Sequence, residues 1–252
     1  MAHYIKPEYI TLILNLMNKK YSTDVHLVLF FKSPDNAKSR LALEIGKCAS
    51  EVAKLLWECT LEDLNDWHGQ IWFSPANLGD RLWLDSQVRQ PMKVVSQGNG
   101  NLGERINHVD KILRSQNVKK IIYIGMDCPG LNPNYLRKAA DELQQSDVVL
   151  GPSLDGGVVL MGAQHAWPDL CNLPWSTSRL CDELKNTCKK SKRTFKQLHT
   201  LYDIDSKRDL LYAQKDLASI SRITRQNLFN WIKDNLKDFQ DSTSNNTEGF
   251  TN

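Results

Sequence analysis

The stretch Ile121-Ile122-Tyr123-Ile124-Gly125-Met126-Asp127-Cys128-Pro129-Gly130-Leu131 decides how the chain is read. A short unbroken apolar run closed by Gly and Pro predicts a strand buried on both faces, as in a parallel sheet. Asp127 then falls just past the strand's carboxyl end, where open α/β sheets bind ligands. A carboxylate released into such a loop is a candidate metal ligand. The same residue type also forms turns and caps helices, and that alternative stays open on this stretch alone.

Three further segments share this placement at strand ends. The run Val25-His26-Leu27-Val28-Leu29-Phe30-Phe31 leads into Lys32-Ser33-Pro34-Asp35-Asn36-Ala37-Lys38-Ser39-Arg40-Leu41, so cations sit between a strand and a helix. Helix N-termini and turn amides offer unpaired N–H groups to an anion, and Lys and Arg add charge, so Lys32, Lys38 and Arg40 are candidate phosphate holders. A solvated basic turn would look the same. Next, Val148-Val149-Leu150 precedes Gly151-Pro152-Ser153-Leu154-Asp155-Gly156-Gly157, a segment that reads either as a hairpin or as a turn letting a ligand approach the main chain. Last, in Leu201-Tyr202-Asp203-Ile204-Asp205 an extended backbone points Asp203 and Asp205 to one side, where they can share a divalent cation. Alternatively Asp205 or Ser206 caps the helix that follows.

In this order the segments resemble the GT-A-type nucleotide-diphospho-sugar transferase superfamily. The closest likeness is to small bacterial predicted glycosyltransferases of undefined activity, with motifs A-K-x-P-x-x-G-x-x-K-T-R-L, Q-x-G-x-D-L-G-x-R, G-T-D-S-P-G-L, G-P-x-x-D-G-G-Y, W-S/G-T and a late D-x-D. The counterparts here are Phe31-Lys32-Ser33-Pro34 with Lys38-Ser39-Arg40-Leu41, Gln97-Gly98-Asn99-Gly100-Asn101-Leu102-Gly103-Glu104-Arg105, the Asp127 and Asp155 segments, Trp175-Ser176-Thr177 and Asp203-Ile204-Asp205. The resemblance spans residues 24–217. Departures are Asn36 or a neighbour for Gly, Asn101 for Asp, Met126 and Cys128 for Thr and Ser, and Val158 for Tyr. Several of these remove oxygen donors that a hard cation or its waters would use. Lys38-Ser39-Arg40-Leu41 and Pro152-Ser153-Leu154-Asp155-Gly156-Gly157 are also similar to the guanylyltransferases that act on phospholactate-like acids.

The resemblance implies a doubly wound, mostly parallel mixed sheet with helices on both faces. It implies a nucleotide-sugar donor and a small-molecule acceptor, with a nucleoside triphosphate as the donor in the guanylyltransferase-like alternative. Gln97 and Gly98 would line a base pocket, with Lys32, Lys38, Arg40 and Arg105 on the phosphates. Asp127, with Asp203 and Asp205, would bind Mg²⁺ or Mn²⁺, and Asp155 would orient or deprotonate the acceptor hydroxyl. Trp175 reads as a surface that stacks on a sugar or acceptor ring, or else as a core or lid residue. A third reading, a nucleotide-binding protein without turnover, follows from the missing oxygen donors.

Composition sets outer bounds. The chain has 252 residues, 41% hydrophobic and 24% charged, which suits one ordinary globular domain. A net charge of +3 gives no general affinity for nucleic acid, so any anion preference is local. Six cysteines without paired spacing read as reduced core thiols, and with no signal-like or membrane-spanning run they point to the cytoplasm. His26, His68, His108, His165 and His199 lie outside the motifs and read as packing or surface residues.

The remaining pattern divides the chain into an N-terminal helix within 1–23, the transferase-like domain over 24–217, a helix within 218–239 and a disordered tail over 240–252. Within the domain, helices are expected over 41–64, 77–87, 102–115, 133–145, 175–188 and 207–217. Strands are expected at 70–73, 92–95, 120–124 and 195–198. The segment 158–162 is expected to run antiparallel. Leu228, Trp231, Ile232 and Leu236 give the last helix an apolar stripe for packing on the outside or for self-association.

Overall fold

In the computed structural model, which describes residues 23–87 and 92–236, the first strand is β1 (Val25–Phe31), whose residues alternate between two cores. Val25, Leu27, Leu29 and Phe31 face one layer, where they meet Ala53, Trp57, Leu61 and Leu64 of α2 (Cys48–Asn65) and Leu136, Ala139 and Leu143 of α5 (Pro133–Leu143). Val28 faces the other layer, with Ile106, Val109 and Leu113 of α4 (Leu102–Ser115) and Leu180 and Leu184 of α6 (Leu180–Lys190). Burying each Val, Leu, Ile or Phe side chain among these contributes roughly 1.5–3 kcal/mol, so both sheet faces hold their helices by the same means.

Among the described residues the sheet has six strands in the order β2-β1-β3-β5-β4-β6, with β2 Ile71–Pro75, β3 Lys120–Ile124, β4 Val148–Pro152, β5 Val158–Ala163 and β6 Phe195–Gln197. β1 pairs in parallel with β2 and β3, and β4 pairs in parallel with β6. β5 is antiparallel to both of its neighbours, as expected for 158–162. This is the mixed, doubly wound α/β sheet anticipated from the alternation of apolar runs and amphipathic stretches.

Three expected elements differ. The helix over 41–64 is two, α1 (Ser39–Ile45) and α2, because Gly46 adopts φ +62° and closes α1 through its N–H to the Ala42 carbonyl at 3.0 Å. Glycine tolerates that left-handed backbone without strain. The helix over 175–188 begins at Leu180: Ser176 is left-handed at φ +60°, and the Trp175 N–H bonds back to the Leu173 carbonyl at 2.8 Å. The strand over 92–95 reduces to one bridge, Val94 with Phe73, at the β2 edge. The helix expected within 1–23 and the tail over 240–252 lie outside the described residues.

Two more helices, α7 (Lys207–Leu217) and α8 (Ile223–Asn235), cover the outer side of α2. Leu210, Ala213, Leu217, Leu228, Ile232 and Leu236 form a third core with Val52, Leu56 and Cys59. The apolar stripe of α8 is thus spent inside the molecule. α3 (Leu78–Gln87) follows β2 and buries Leu84 and Asp80. Among the described residues no helix is long and apolar enough to cross a membrane.

Candidate functional site

A cleft of about 640 Å³ opens at the carboxyl ends of β1, β3 and β4. Lys32, Lys38, Arg40, Gln97, Arg105, Asp127, Asp155, Asp203 and Asp205 all line it, so segments distant in sequence meet on one rim of the sheet. Trp175, Val158 and Met161 supply apolar wall. Main-chain bonds lock the acidic segments together. The Ile204 N–H donates to the Asp127 carbonyl at 2.9 Å, and the Leu154 N–H donates to the Leu201 carbonyl at 2.9 Å.

Lys38 stands at the centre. Its left-handed backbone, φ 58°, starts α1, and its side chain is only 2% exposed. The ammonium lies 2.6 Å from Asp127 Oδ1 and 3.3 Å from Asp205 Oδ1, and it also donates to the Ile204 carbonyl. Each of its three hydrogens therefore has an acceptor. Burial opposes the charge, but attraction to Asp127 and then Asp205 outweighs it and raises the lysine pKa. The expected phosphate holder is thus also the cation between two expected metal ligands. Arg40 is 66% exposed and 3.6 Å from the other oxygen of Asp205.

Asp203 turns elsewhere. It accepts the Ser153 hydroxyl at 2.5 Å, and burial, aided by the charges of Asp155 and Asp205, raises its pKa against the effect of that bond. Asp155 is exposed on its own turn, where Oδ1 accepts the Gly157 N–H at 2.8 Å. Gly156 holds φ +87°, and a Cβ there would run into the Ser178 backbone, so the turn requires glycine. The helix cap at 206 is Ser206, in a capping box with Asp209, which leaves Asp203 and Asp205 to the cleft.

Gln97 is 4% exposed and its amide is already engaged. Nε2 donates to the Ser74 carbonyl at 2.7 Å, and Oε1 accepts from Arg105 Nη1 at 3.3 Å. It holds Arg105 at the rim instead of presenting a free amide to a base edge. Gly98, φ +74°, packs against the His108 ring, where a Cβ would sit 3.0 Å away, and it does not line the cleft. Cys128 does line the cleft, but burial pushes its thiol up to about 12, so it is no thiolate nucleophile.

Two departures from the motif pattern have structural accounts. Asn101 caps α4: Oδ1 accepts the Glu104 N–H at 3.1 Å, while Nδ2 donates to the Cys171 carbonyl at 2.9 Å, a bond an aspartate could not make. Val158 packs with the buried cluster on the α4 face of the sheet.

Two residues behind the site escaped the sequence reading. Asp80 is fully buried. Its Oδ1 accepts the Ser33 N–H and hydroxyl, each at 2.8 Å, and the Asn36 amide at 3.2 Å, so it shapes the loop that leads to Lys38. Its position near the start of α3 looks like ordinary helix-terminal acid, which hid it. Arg225 of α8 is 1% exposed and donates to the carbonyls of Pro129 and Leu131, which flank Gly130 in the Asp127 loop. A cation in register with Leu228 and Ile232 was the signal available.

The chemistry of a metal can be tested against this geometry. Among the described residues no three acidic, His or Cys side chains are arranged to hold an ion. Two carboxylate oxygens and the Ile204 carbonyl nonetheless converge on the point that the Lys38 ammonium fills. That is a hard-oxygen donor set of the kind Mg²⁺ and Mn²⁺ accept.

The doubly wound α/β fold is shared with proteins of known structure. It is similar to a protein from Desulfovibrio desulfuricans provisionally named a nucleotide-diphospho-sugar transferase, at TM-score 0.76 and 18% identity, over 86% of this chain and 98% of that one. It is also similar to the 4-diphosphocytidyl-2C-methyl-D-erythritol synthase of Anaerococcus prevotii, at TM-score 0.50 and 11% identity, over 77% of this chain and 99% of that one. At such identities the likeness shows the fold. Residues 59–177, just under half of the chain, match the family described as "Uncharacterized protein conserved in bacteria (DUF2064)". That span holds Gln97, Arg105, Asp127 and Asp155 but not Lys38, Arg40, Asp203 or Asp205. No curated protein matches the sequence.

Proposed function

We propose that the protein is a nucleotide-dependent transferase that moves a sugar from a nucleotide-activated donor to a small-molecule acceptor. The observation that carries this reading is the convergence of Lys38, Arg40, Asp127, Asp203 and Asp205 on one cleft at the strand ends. A diphosphate leaving group needs counter-charge and fixed position more than covalent help. Lys38 and Arg40 supply donors from the start of α1, Lys32 and Arg105 extend the cationic rim, and the wall of Val158, Met161 and Trp175 suits the less polar faces of a sugar or base. A divalent ion held by Asp127 and Asp205 would offset charge on the diphosphate. Asp203, with its raised pKa, and Asp155 are the carboxylates positioned to take a proton from an acceptor hydroxyl.

Nucleotidyl transfer from a nucleoside triphosphate to a phosphorylated or acidic small molecule is the second reading. It is favoured by the commitment of Asp155 Oδ1 to the Gly157 amide, since a phosphate nucleophile requires no general base. A thermal-shift screen of nucleoside di- and triphosphates and nucleotide-sugars, with and without Mn²⁺, identifies the ligand, because binding to the native form raises its Tm. Product analysis then separates the two reactions. Sugar transfer releases a nucleoside diphosphate, and nucleotidyl transfer releases pyrophosphate. If no nucleotide or nucleotide-sugar shifts the Tm, both readings fail.

A further inference from the structure

We propose that Lys38 is a resident counter-ion that a divalent cation must displace, and that phosphate drives the exchange by giving the ammonium another acceptor. The inference deepens the reading of the cleft as a nucleotide site and rests on it.

The argument is one of charge and space. Lys38 and Arg40 balance Asp127 and Asp205 charge for charge, with contacts at 2.6, 3.3 and 3.6 Å. The oxygens nearest the ammonium, Asp127 Oδ1 and Asp205 Oδ1, are those a metal would use, so the ion and the Nζ cannot occupy the same few ångströms. A metal entering alone would leave the cluster with excess positive charge at contact distance. A diphosphate entering alone would set anions beside two carboxylates. Arriving together they restore the balance. The geometry permits the exchange, because Lys38 lines the cleft and its flexible four-carbon stem can turn toward a phosphate next to Arg40 without moving the backbone. Binding of metal and phosphate is therefore mutually reinforcing, and linkage requires the same factor in both directions.

The test measures Mn²⁺ binding to the full chain by electron paramagnetic resonance, without nucleotide, for wild type, K38M and K38M/D127N. K38M should bind Mn²⁺ about tenfold or more tightly than wild type, within the usual range of coupling between sites, and K38M/D127N should lose the gain. In wild type, inorganic phosphate kept below its Mn²⁺ precipitation limit should raise Mn²⁺ affinity, and this arm stands even if K38M does not fold. Equal or weaker Mn²⁺ binding by K38M overturns the inference. So does phosphate that binds wild type, by calorimetry, without changing its Mn²⁺ affinity, and that result leaves the nucleotide reading of the cleft intact. If phosphate neither raises Mn²⁺ affinity nor binds wild type in the presence of Mn²⁺, the inference fails, and the nucleotide reading is decided separately by the thermal-shift screen.

Discussion

Arg225 Nη2, near the start of the last described helix, donates to the main-chain carbonyl of Leu131 at 2.7 Å and so reaches the loop that carries Asp127. The same guanidinium pairs with Asp63 and donates to the Cys59 carbonyl at 2.7 Å, tying α8 and α2 to that loop. Arg225→Met leaves Asp63 with only the longer 3.5 Å contact to Arg222 and strands two loop carbonyls in a buried setting. Removing one partner of a buried ion pair costs about 3–5 kcal/mol, and urea unfolding should show a loss of that size. Arg222→Ala, which removes a partly exposed guanidinium and leaves the Arg225 pair with Asp63 in place, should cost less.

Among the described residues Asp80 forms no ion pair, and its Oδ1 is held by the hydrogen-bond donors of Ser33 and Asn36. Asp80→Ala leaves the Ser33 N–H buried without its acceptor, at about 1–3 kcal/mol. Asp80→Asn keeps an oxygen where Oδ1 now accepts Ser33 and Asn36, so it should retain most of the stability. Because the loop sets the position of Lys38, Asp80→Ala should also weaken the thermal shift given by whichever nucleotide proves to bind. A variant with reduced stability and an unchanged ligand shift would show that Asp80 acts on the fold alone.

Asn101→Asp restores the carboxylate of the motif pattern. The α4 cap survives, since a carboxylate accepts the Glu104 N–H as well, but the donor to the Cys171 carbonyl is lost. Stability should fall by about 1 kcal/mol, and Mn²⁺ affinity should not improve, because residue 101 does not line the cleft. A gain in metal binding in this variant would contradict the cleft geometry.

Asp127→Ala should abolish the calorimetric signal of nucleotide plus Mg²⁺ while circular dichroism remains that of a folded α/β protein. Lys38 keeps Asp205 and the Ile204 carbonyl as acceptors in that variant, so its burial does not become uncompensated. An unchanged titration removes Asp127 from the site.

His26 Nδ1 accepts the Trp72 indole N–H at 3.0 Å, so the ring is neutral, and burial, with help from Lys93, holds its pKa below 6.5 despite Asp24. A depressed folded value means that the unfolded chain takes up the proton first. The stability this gives is fully present above pH 6.5 and is lost as pH falls through the lower folded value. Tm measured from pH 8 downward should stay level and then drop on the acid side, and His26→Gln should flatten that limb. An identical acid limb in the variant would assign the drop to other groups.

What the sequence determined by itself is the local and periodic part. Apolar runs closed by Gly and Pro marked the strands, amphipathic spacing marked most of the helices, and the motif residues fell at strand ends where a parallel sheet collects them. The break at Gly46 and the turn over 175–179 were invisible because one left-handed residue overrides a helical pattern without altering it. Only the tertiary structure decided which charge meets which. Lys38 meets Asp205 across 167 positions, Arg225 meets Leu131 across 94, and Ser33 meets Asp80 across 47. Periodicity reports which face a residue shares, since it follows from the geometry of a single element. The partner a buried charge finds depends on how elements far apart in the chain close over it, and there a lysine that reads as a phosphate holder becomes the cation between two aspartates.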